Sequence, residues 1–442
     1  MFYRKIYDKM LAWKQQEQGR SALLIEGARR VGKSTIVEAF AQKEYASYLL
    51  IDFSAAPKTV IDLFEDVSDL DYLFLQLQLQ YNVILRKRQS VIIFDEVQFC
   101  PRARQAIKHL VKDGRYDYIE TGSLISIHKN VKNILIPSEE KRLSMMPMDF
   151  EEFCLATGRQ ALPVILRQLA LSRKPVDEGT HRKLLRDFRL YMLVGGMPQA
   201  VAAYVEQNNF QVVDQVKQTI LELYEGDFKK IDSTGRLTLL FGAIPAQLQK
   251  NVSRYQVSSV LETERAGSIL GLLAELQDSK TVNIAYHVND PNTGLANQID
   301  LTRFKLFLGD TGLFVTLMFK DQEFTENVIY SKLLNDKLQT NLGYLYENCV
   351  AQILAAAGKK LYYYTFPKGD GNGRYEIDFL LPEGSKICPV EVKSSGYKVH
   401  RSLDAFQNKY SGWIGSRYVI YTKNVQKEKD IWCLPIYLLP FM

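Results

Sequence analysis

Gly27, Ala28, Arg29, Arg30, Val31, Gly32, Lys33, Ser34 and Thr35 follow one another in a GxxxxGKS loop. These residue types at this spacing can cradle a triphosphate. The two glycines allow the tight wrap that points backbone N–H groups at phosphate oxygens. Lys33 can reach the β- and γ-phosphates, and the Ser34 hydroxyl stands where Mg²⁺ is held. Further along, Val91-Ile92-Ile93-Phe94 runs into Asp95 and Glu96. A carboxylate at Asp95 can hold Mg²⁺ through a water, and Glu96 is placed to orient and deprotonate an attacking water. Thr121 or Ser123, in the run Glu120-Thr121-Gly122-Ser123, can touch the γ-phosphate or that water. No DxxG follows Asp95 and no NKxD is present, so ATP is the expected nucleotide.

The positioning elements can be read around these residues. Ala22–Ile25 is an apolar run entering the loop, and Thr35–Phe40 leaves it with helical periodicity. Val91–Phe94 lacks alternation, as expected of a strand buried on both faces in a parallel sheet. Tyr116–Glu120 reads as a third strand, and Phe99–Val111 as a helix carrying Arg102, Arg104 and Lys108. Asp95 would then emerge at the C-terminal edge of the sheet beside the phosphate loop. The N-terminal Tyr3, Ile6 and Tyr7 are expected in a helix near the adenine.

These motifs, with Arg142–Phe153, Gly195-Gly196-Met197-Pro198-Gln199-Ala200, Ile244–Leu248, Gly309-Asp310-Thr311-Gly312 and Glu376–Phe379 with Glu391-Val392-Lys393, resemble a family of bacterial and archaeal AAA-type ATPases. In that family a P-loop domain precedes a C-terminal domain of unknown function. The resemblance covers essentially the whole chain and implies an α/β fold and ATPase chemistry, with Mg²⁺ and ATP as cofactors. Arg142 is the candidate for an arginine that neutralises γ-phosphate charge from a neighbouring domain or subunit, so an oligomer is one expectation.

The expected fold class is α/β, with a parallel-sheet P-loop core over 1–150 and a helical connector or lid over 151–230. A winged helix over 231–318 and a small endonuclease-like domain over 319–442 follow. The winged helix rests on helices before two extended runs, Val282–His287 and Phe304–Leu308, joined by an Asn289–Gly294 turn. Such a module binds duplex DNA or a protein.

The terminal block reads α-β-β-β-α-β and resembles the core of restriction-type endonucleases. Alternation along Pro389–Lys393 puts Glu391 and Lys393 on one face, with Asp378 on the partner strand facing the same way. Asp378 and Glu391, joined by Glu347 from a helix, are candidate Mg²⁺ ligands, and Lys393 would position or activate water.

The chain of 442 residues is 46% hydrophobic and 24% charged with net charge +6, ordinary for a soluble protein of two to four domains. That charge permits DNA contact without requiring it. No apolar stretch reaches the length of a membrane span, and the N-terminus lacks the apolar core of a signal peptide. The five cysteines (100, 154, 349, 388 and 433) are widely spaced with no CxxC, which fits reduced thiols in a cytoplasm.

Overall fold

A computed structural model describes residues 1–122, 138–250, 252–261, 266–292, 294–320, 327–335, 342–369, 371, 373–394 and 400–442. Ser123, the alternative to Thr121, lies outside them. The chain divides into two compact units: residues 1–146 with 278–280, and residues 147–277 with 281–442.

The first unit contains α1 (Ile6–Glu17), β1 (Ala22–Glu26), α2 (Lys33–Glu44), β2 (Ser47–Asp52), α3 (Lys58–Asp62), α4 (Leu70–Tyr81), β3 (Ser90–Asp95), α5 (Pro101–Asp113), β4 (Asp117–Gly122) and β5 (Glu140–Ser144). All five strands are parallel, in the order β2-β3-β4-β1-β5. Every residue of β1, β3 and β4 is buried, and the apolar runs Ala22–Ile25 and Val91–Phe94 are those of strands covered on both faces. Ile36, Val37 and Phe40 of α2 pack with Ile6, Met10 and Trp13 of α1 and with Leu23, Ile25, Val91 and Ile93. On the other face Ala103, Ala106 and Ile107 of α5 meet Ala22, Leu24, Ile92 and Phe94. The end residues of α5 suit its bounds: Pro101 opens the first turn and Gly114 closes the helix at φ +72°, a left-handed position that costs glycine nothing.

The second unit begins with helices α6 (Phe150–Ala156), α7 (Leu162–Ser172), α8 (Glu178–Val194), α9 (Pro198–Gln207), α10 (Phe210–Ile231), α11 (Arg236–Gly242), α12 (Ile244–Gln249) and α13 (Ala266–Asp278). Asp149 and Glu152 form a reciprocal capping box at the start of α6. There follow β6 (Val282–Val288), β7 (Ile299–Leu308), α14 (Thr311–Met318), α15 (Asn327–Leu334), α16 (Gly343–Ala356), β8 (Leu361–Pro367), β9 (Arg374–Glu383), β10 (Lys386–Val392), α17 (Arg401–Tyr410), β11 (Arg417–Tyr421), β12 (Gln426–Glu428) and β13 (Ile431–Pro435). Among the described residues no helix is long and apolar enough to cross a membrane.

The eight strands form one mixed sheet in the order β12-β13-β11-β10-β9-β8-β6-β7. Here the structure differs from the expected separate winged helix. Strands β6 and β7 do pair as an antiparallel ribbon, but β6 also pairs in parallel with β8 through Ala285, Tyr286 and His287. The ribbon therefore extends the sheet of the terminal block, because an apolar strand such as Val282–Val288 hydrogen-bonds on both edges when a neighbour is available. The helical connector also belongs to this unit. Tyr191 of α8 accepts a hydrogen bond from Gln352 of α16 at 3.0 Å, and His181 pairs with Tyr437 at 3.0 Å.

Two glycine motifs lock the helices together. Asp310 accepts from Gly196 N at 2.6 Å and caps α14 by accepting from Leu313 N at 2.9 Å. Gly195 sits at φ +84°, and a Cβ on Gly312 would stand 2.5 Å from the Cα of Gly195 and 2.6 Å from the Val194 carbonyl oxygen. Backbone on both sides leaves nothing to yield. Gly312→Ala is accordingly expected to destabilise the second unit by about 2 kcal/mol or more, read as a lowered midpoint in urea. A midpoint equal to wild type contradicts this packing.

Candidate functional site

The phosphate loop leaves β1 at Gly27, and α2 begins at Lys33 after Gly32 in the left-handed conformation, φ +99°. A Cβ on Gly27 would stand 2.4 Å from the Met145 carbonyl oxygen, so that position is closed to any side chain. The Lys33 ammonium is buried and donates to the carbonyl oxygens of Gly27 and Ala28, both at 3.0 Å. Burial lowers its pKa and Arg29 adds to that, while the carboxylates of Glu96 and Asp95 oppose it. Arg30 is exposed at φ +67°, and Thr35 is exposed on the first turn of α2. Val31 is buried, and its carbonyl accepts from Arg4 Nη1 at 2.9 Å; Arg4 Nη2 also donates to the Met146 carbonyl at 2.5 Å. One buried guanidinium thus ties the phosphate loop to the segment after β5.

The C-terminal ends of three strands meet this loop. Ser34 Oγ donates to Asp95 Oδ1 at 2.9 Å, and Thr121 Oγ1 donates to the same oxygen. Strand order explains the convergence. β4, with Thr121, lies between β1 and β3, so its hydroxyl can reach Asp95 from the loop side. Glu96 is held at φ +51° in the left-handed region, a sparsely populated conformation for a non-glycine residue and one found at functional sites. Its N–H donates to Thr121 Oγ1 at 3.4 Å, and Gln98 Nε2 donates to Glu96 Oε2. The Ser34 hydroxyl and the Asp95 carboxylate are hard oxygen donors side by side, a set that suits Mg²⁺. Arg4 and Gln98 were not legible as site residues in the sequence.

Arg142 lies elsewhere. It is paired in register with Leu24, and its Nε donates to Glu140 Oε1 at 2.8 Å. Glu140 in turn pairs with Arg104 of α5 at 2.9 Å, which puts Arg142 on the face opposite α2. The same cluster holds Glu120, fully buried, with the Arg104 guanidinium 3.7 Å away. Burial, with repulsion from Glu140, pushes the Glu120 carboxyl from 4.5 up to about 8, and Arg104 offsets only part of this. The folded state therefore holds this proton where the unfolded chain releases it, and the stability that the proton confers is complete below about pH 4.5 and lost as pH rises to about 8. Glu120→Gln keeps the uncharged form at every pH. It is expected to raise stability above pH 8 by about 1 kcal/mol or more and to flatten the decline between those values. Identical pH–stability curves for the two proteins contradict a raised Glu120 pKa.

The second unit gathers carboxylates on its sheet. Val390 of β10 is in register with Phe379 of β9, which sets Glu391 beside Asp378. Oxygens of Glu347, Glu376 and Asp378 all lie within 4.8 Å of one another. Asp378 Oδ2 accepts from Val392 N at 2.8 Å, and Lys393 stands 3.5 Å from Glu391. Burial depresses Lys393, but Asp378, Glu391 and Glu347 outweigh it and raise its pKa. Of the expected set, Glu347 and Asp378 come together. Glu376 takes the third place, and Glu391 is paired with Lys393. Lys305 of β7 enters the same cluster, 2.7 Å from Glu347 Oε1 and 2.5 Å from Glu376 Oε1. Burial of Glu347 among these acids pushes its carboxyl up to about 7 although Lys305 opposes the shift.

Residues 19–154 match the AAA domain family, residues 185–323 a domain of unknown function (DUF8612), and residues 342–439 another (DUF4143). No curated protein matches the chain. Similar solved structures include a Walker-type ATPase of Pyrococcus abyssi, 15% identical over 72% of this chain and 96% of that one, with a TM-score of 0.44. The Aeropyrum pernix ORC1 protein in complex with DNA is 11% identical over 76% and 93%, TM-score 0.28. The RuvB Holliday junction branch migration motor of Thermotoga maritima is 12% identical over 64% and 89%, TM-score 0.29. The chain thus carries an AAA-type P-loop domain on a five-stranded parallel sheet.

Proposed function

We propose that this protein binds Mg–ATP in the loop Gly27–Thr35 and hydrolyses it, and that the nucleotide state repositions the second unit on a DNA or protein partner. The observation that carries the ATPase reading is the convergence of Ser34 and Thr121 on Asp95, with Glu96 next in the chain and oriented by Gln98. Incoming phosphates would draw the Lys33 ammonium from the Gly27 and Ala28 carbonyls, where charge-assisted bonds are stronger. Backbone N–H groups from Ala28 to Ser34 and the N-terminus of α2 would hold the β-phosphate. Ser34 and Asp95 would hold Mg²⁺, which would neutralise phosphate charge. Glu96 would take the proton of the attacking water, and Thr121 would fix that water against the γ-phosphate. Arg142, bonded to Glu140 on the face of the sheet opposite α2, would act as such an arginine only toward a nucleotide held by a neighbouring domain or subunit.

We place the protein in the cytoplasm, a reading supported by five buried cysteines that are all free thiols. DNA is the first partner to test, because the chain is basic overall. Steady-state ATP turnover measured with and without duplex DNA decides this. Turnover raised by DNA supports a DNA partner, turnover indifferent to DNA points to a protein partner, and no turnover under either condition removes the ATPase reading. A second reading, an ATP-gated metal-dependent nuclease, draws on the Glu347, Asp378, Glu391 and Lys393 arrangement and its likeness to restriction-type endonucleases. It is opposed by Lys305.

A further inference from the structure

The carboxylates of the second unit already have a cation among them. Lys305 reaches from β7 with its side chain only 6% exposed and meets Glu347 Oε1 at 2.7 Å and Glu376 Oε1 at 2.5 Å. The third member of the cluster, Asp378, offers an oxygen within 4.8 Å of both. The contact to Glu347 has the length of a charge-assisted N–H···O bond, and that to Glu376 is closer still. An Mg²⁺ or Mn²⁺ ion bridging the same oxygens would sit at about 2.0–2.2 Å from each, in the volume that the ammonium fills. Both cannot occupy it, and a dication just outside would repel a buried monocation across a few ångströms of low-dielectric interior. Lys305 has no inexpensive way out. Leaving the cluster would strand an ammonium among Tyr363, 5.5 Å away, and the core strands, and breaking a buried ion pair by removing one partner is strongly destabilising.

We infer that Lys305 is the resident, covalently tethered cation of the Glu347–Glu376–Asp378 cluster, taking the place of a divalent metal. The remaining ammonium, Lys393, is paired with Glu391, so the site is organised by two lysines rather than by an ion. The second unit then uses an endonuclease-like sheet as a binding scaffold and does not cut in this state. The ribbon β6–β7 acquires a purpose in this account. By joining the sheet through β8 it delivers Lys305 to carboxylates that are far away in sequence.

The test is an Mn²⁺ titration, by calorimetry and by electron paramagnetic resonance, of the full-length chain without nucleotide. Wild type, Asp378→Asn, Lys305→Met and Lys305→Met/Asp378→Asn are compared at about 100 µM Mn²⁺, an affinity within reach of a modest oxygen site. Wild type and Asp378→Asn are expected to give the same isotherm. Lys305→Met is expected to gain one ion per chain, and the double variant to lose it. An ion in wild type that Asp378→Asn removes overturns the inference, and this comparison stands even where Lys305→Met fails to fold. A folded Lys305→Met that takes up no additional ion also overturns it. Because the readout is metal uptake without nucleotide, its failure leaves the ATPase reading untouched.

Discussion

Replacing Glu96 by Gln should leave ATP bound while slowing its turnover at least about tenfold, since a positioned general base typically contributes two to four orders of magnitude. The substitution keeps the size of the side chain and its contact to Gln98 Nε2 through the amide oxygen, but removes the basic oxygen. The left-handed backbone at this residue, φ +51°, is as accessible to Gln as to Glu, so the fold is not at stake. Steady-state phosphate release from the purified proteins measures the effect. Turnover equal to wild type would mean that another group activates the water.

Replacing Lys33 by Ala should abolish nucleotide-dependent stabilisation. Ligand at 100 times its dissociation constant adds about 2.7 kcal/mol to the folded state, which for a unit of this size is a rise in Tm of about 5–10 °C. Wild type with Mg–ATP should show that rise and Lys33→Ala should not. In the structure the Lys33 ammonium is satisfied by the carbonyls of Gly27 and Ala28. Its removal therefore leaves the apo Tm to be measured separately, and only the shift is diagnostic. Equal shifts in both proteins would remove the phosphate loop from the account.

The phosphate site was readable from sequence because each of its parts is local. A glycine-spaced loop, a fully apolar strand ending in Asp95 and a third strand ending at Thr121 each announce themselves within about ten residues. The interplay of Ser34, Thr121 and Asp95 then follows from parallel pairing, which brings strand ends to one edge. Residues whose role depends on distant pairing were not readable. Arg4 acts on Val31 and on Met146, 142 positions away, and nothing around Met1–Lys5 marks it. Lys305 looks like any lysine on an alternating strand, and its partners lie 42 and 71 positions on.

The expected winged helix shows the same limit from another side. Val282–His287 and Phe304–Leu308 are recognisable as a ribbon by local pattern, and they lie in β6 and β7, which pair as one. Which sheet that ribbon joins is decided by the pairing of Ala285 with Leu361, which no local pattern encodes. β2 and β13 were missed for a related reason. Ser47–Asp52 mixes buried and half-buried positions, so neither a clean alternation nor an unbroken apolar run marks it, and Ile431–Pro435 likewise mixes buried and half-buried positions.

The central claim is that ATP enters the Gly27–Thr35 loop and is cleaved by a water that Glu96 activates. It is tested most directly by the nucleotide recovered from Glu96→Gln after incubation with Mg–ATP, rapid desalting and denaturation. The account predicts that this variant yields ATP while wild type treated identically yields ADP. ADP from both proteins in equal amount, or no nucleotide from either, would contradict it.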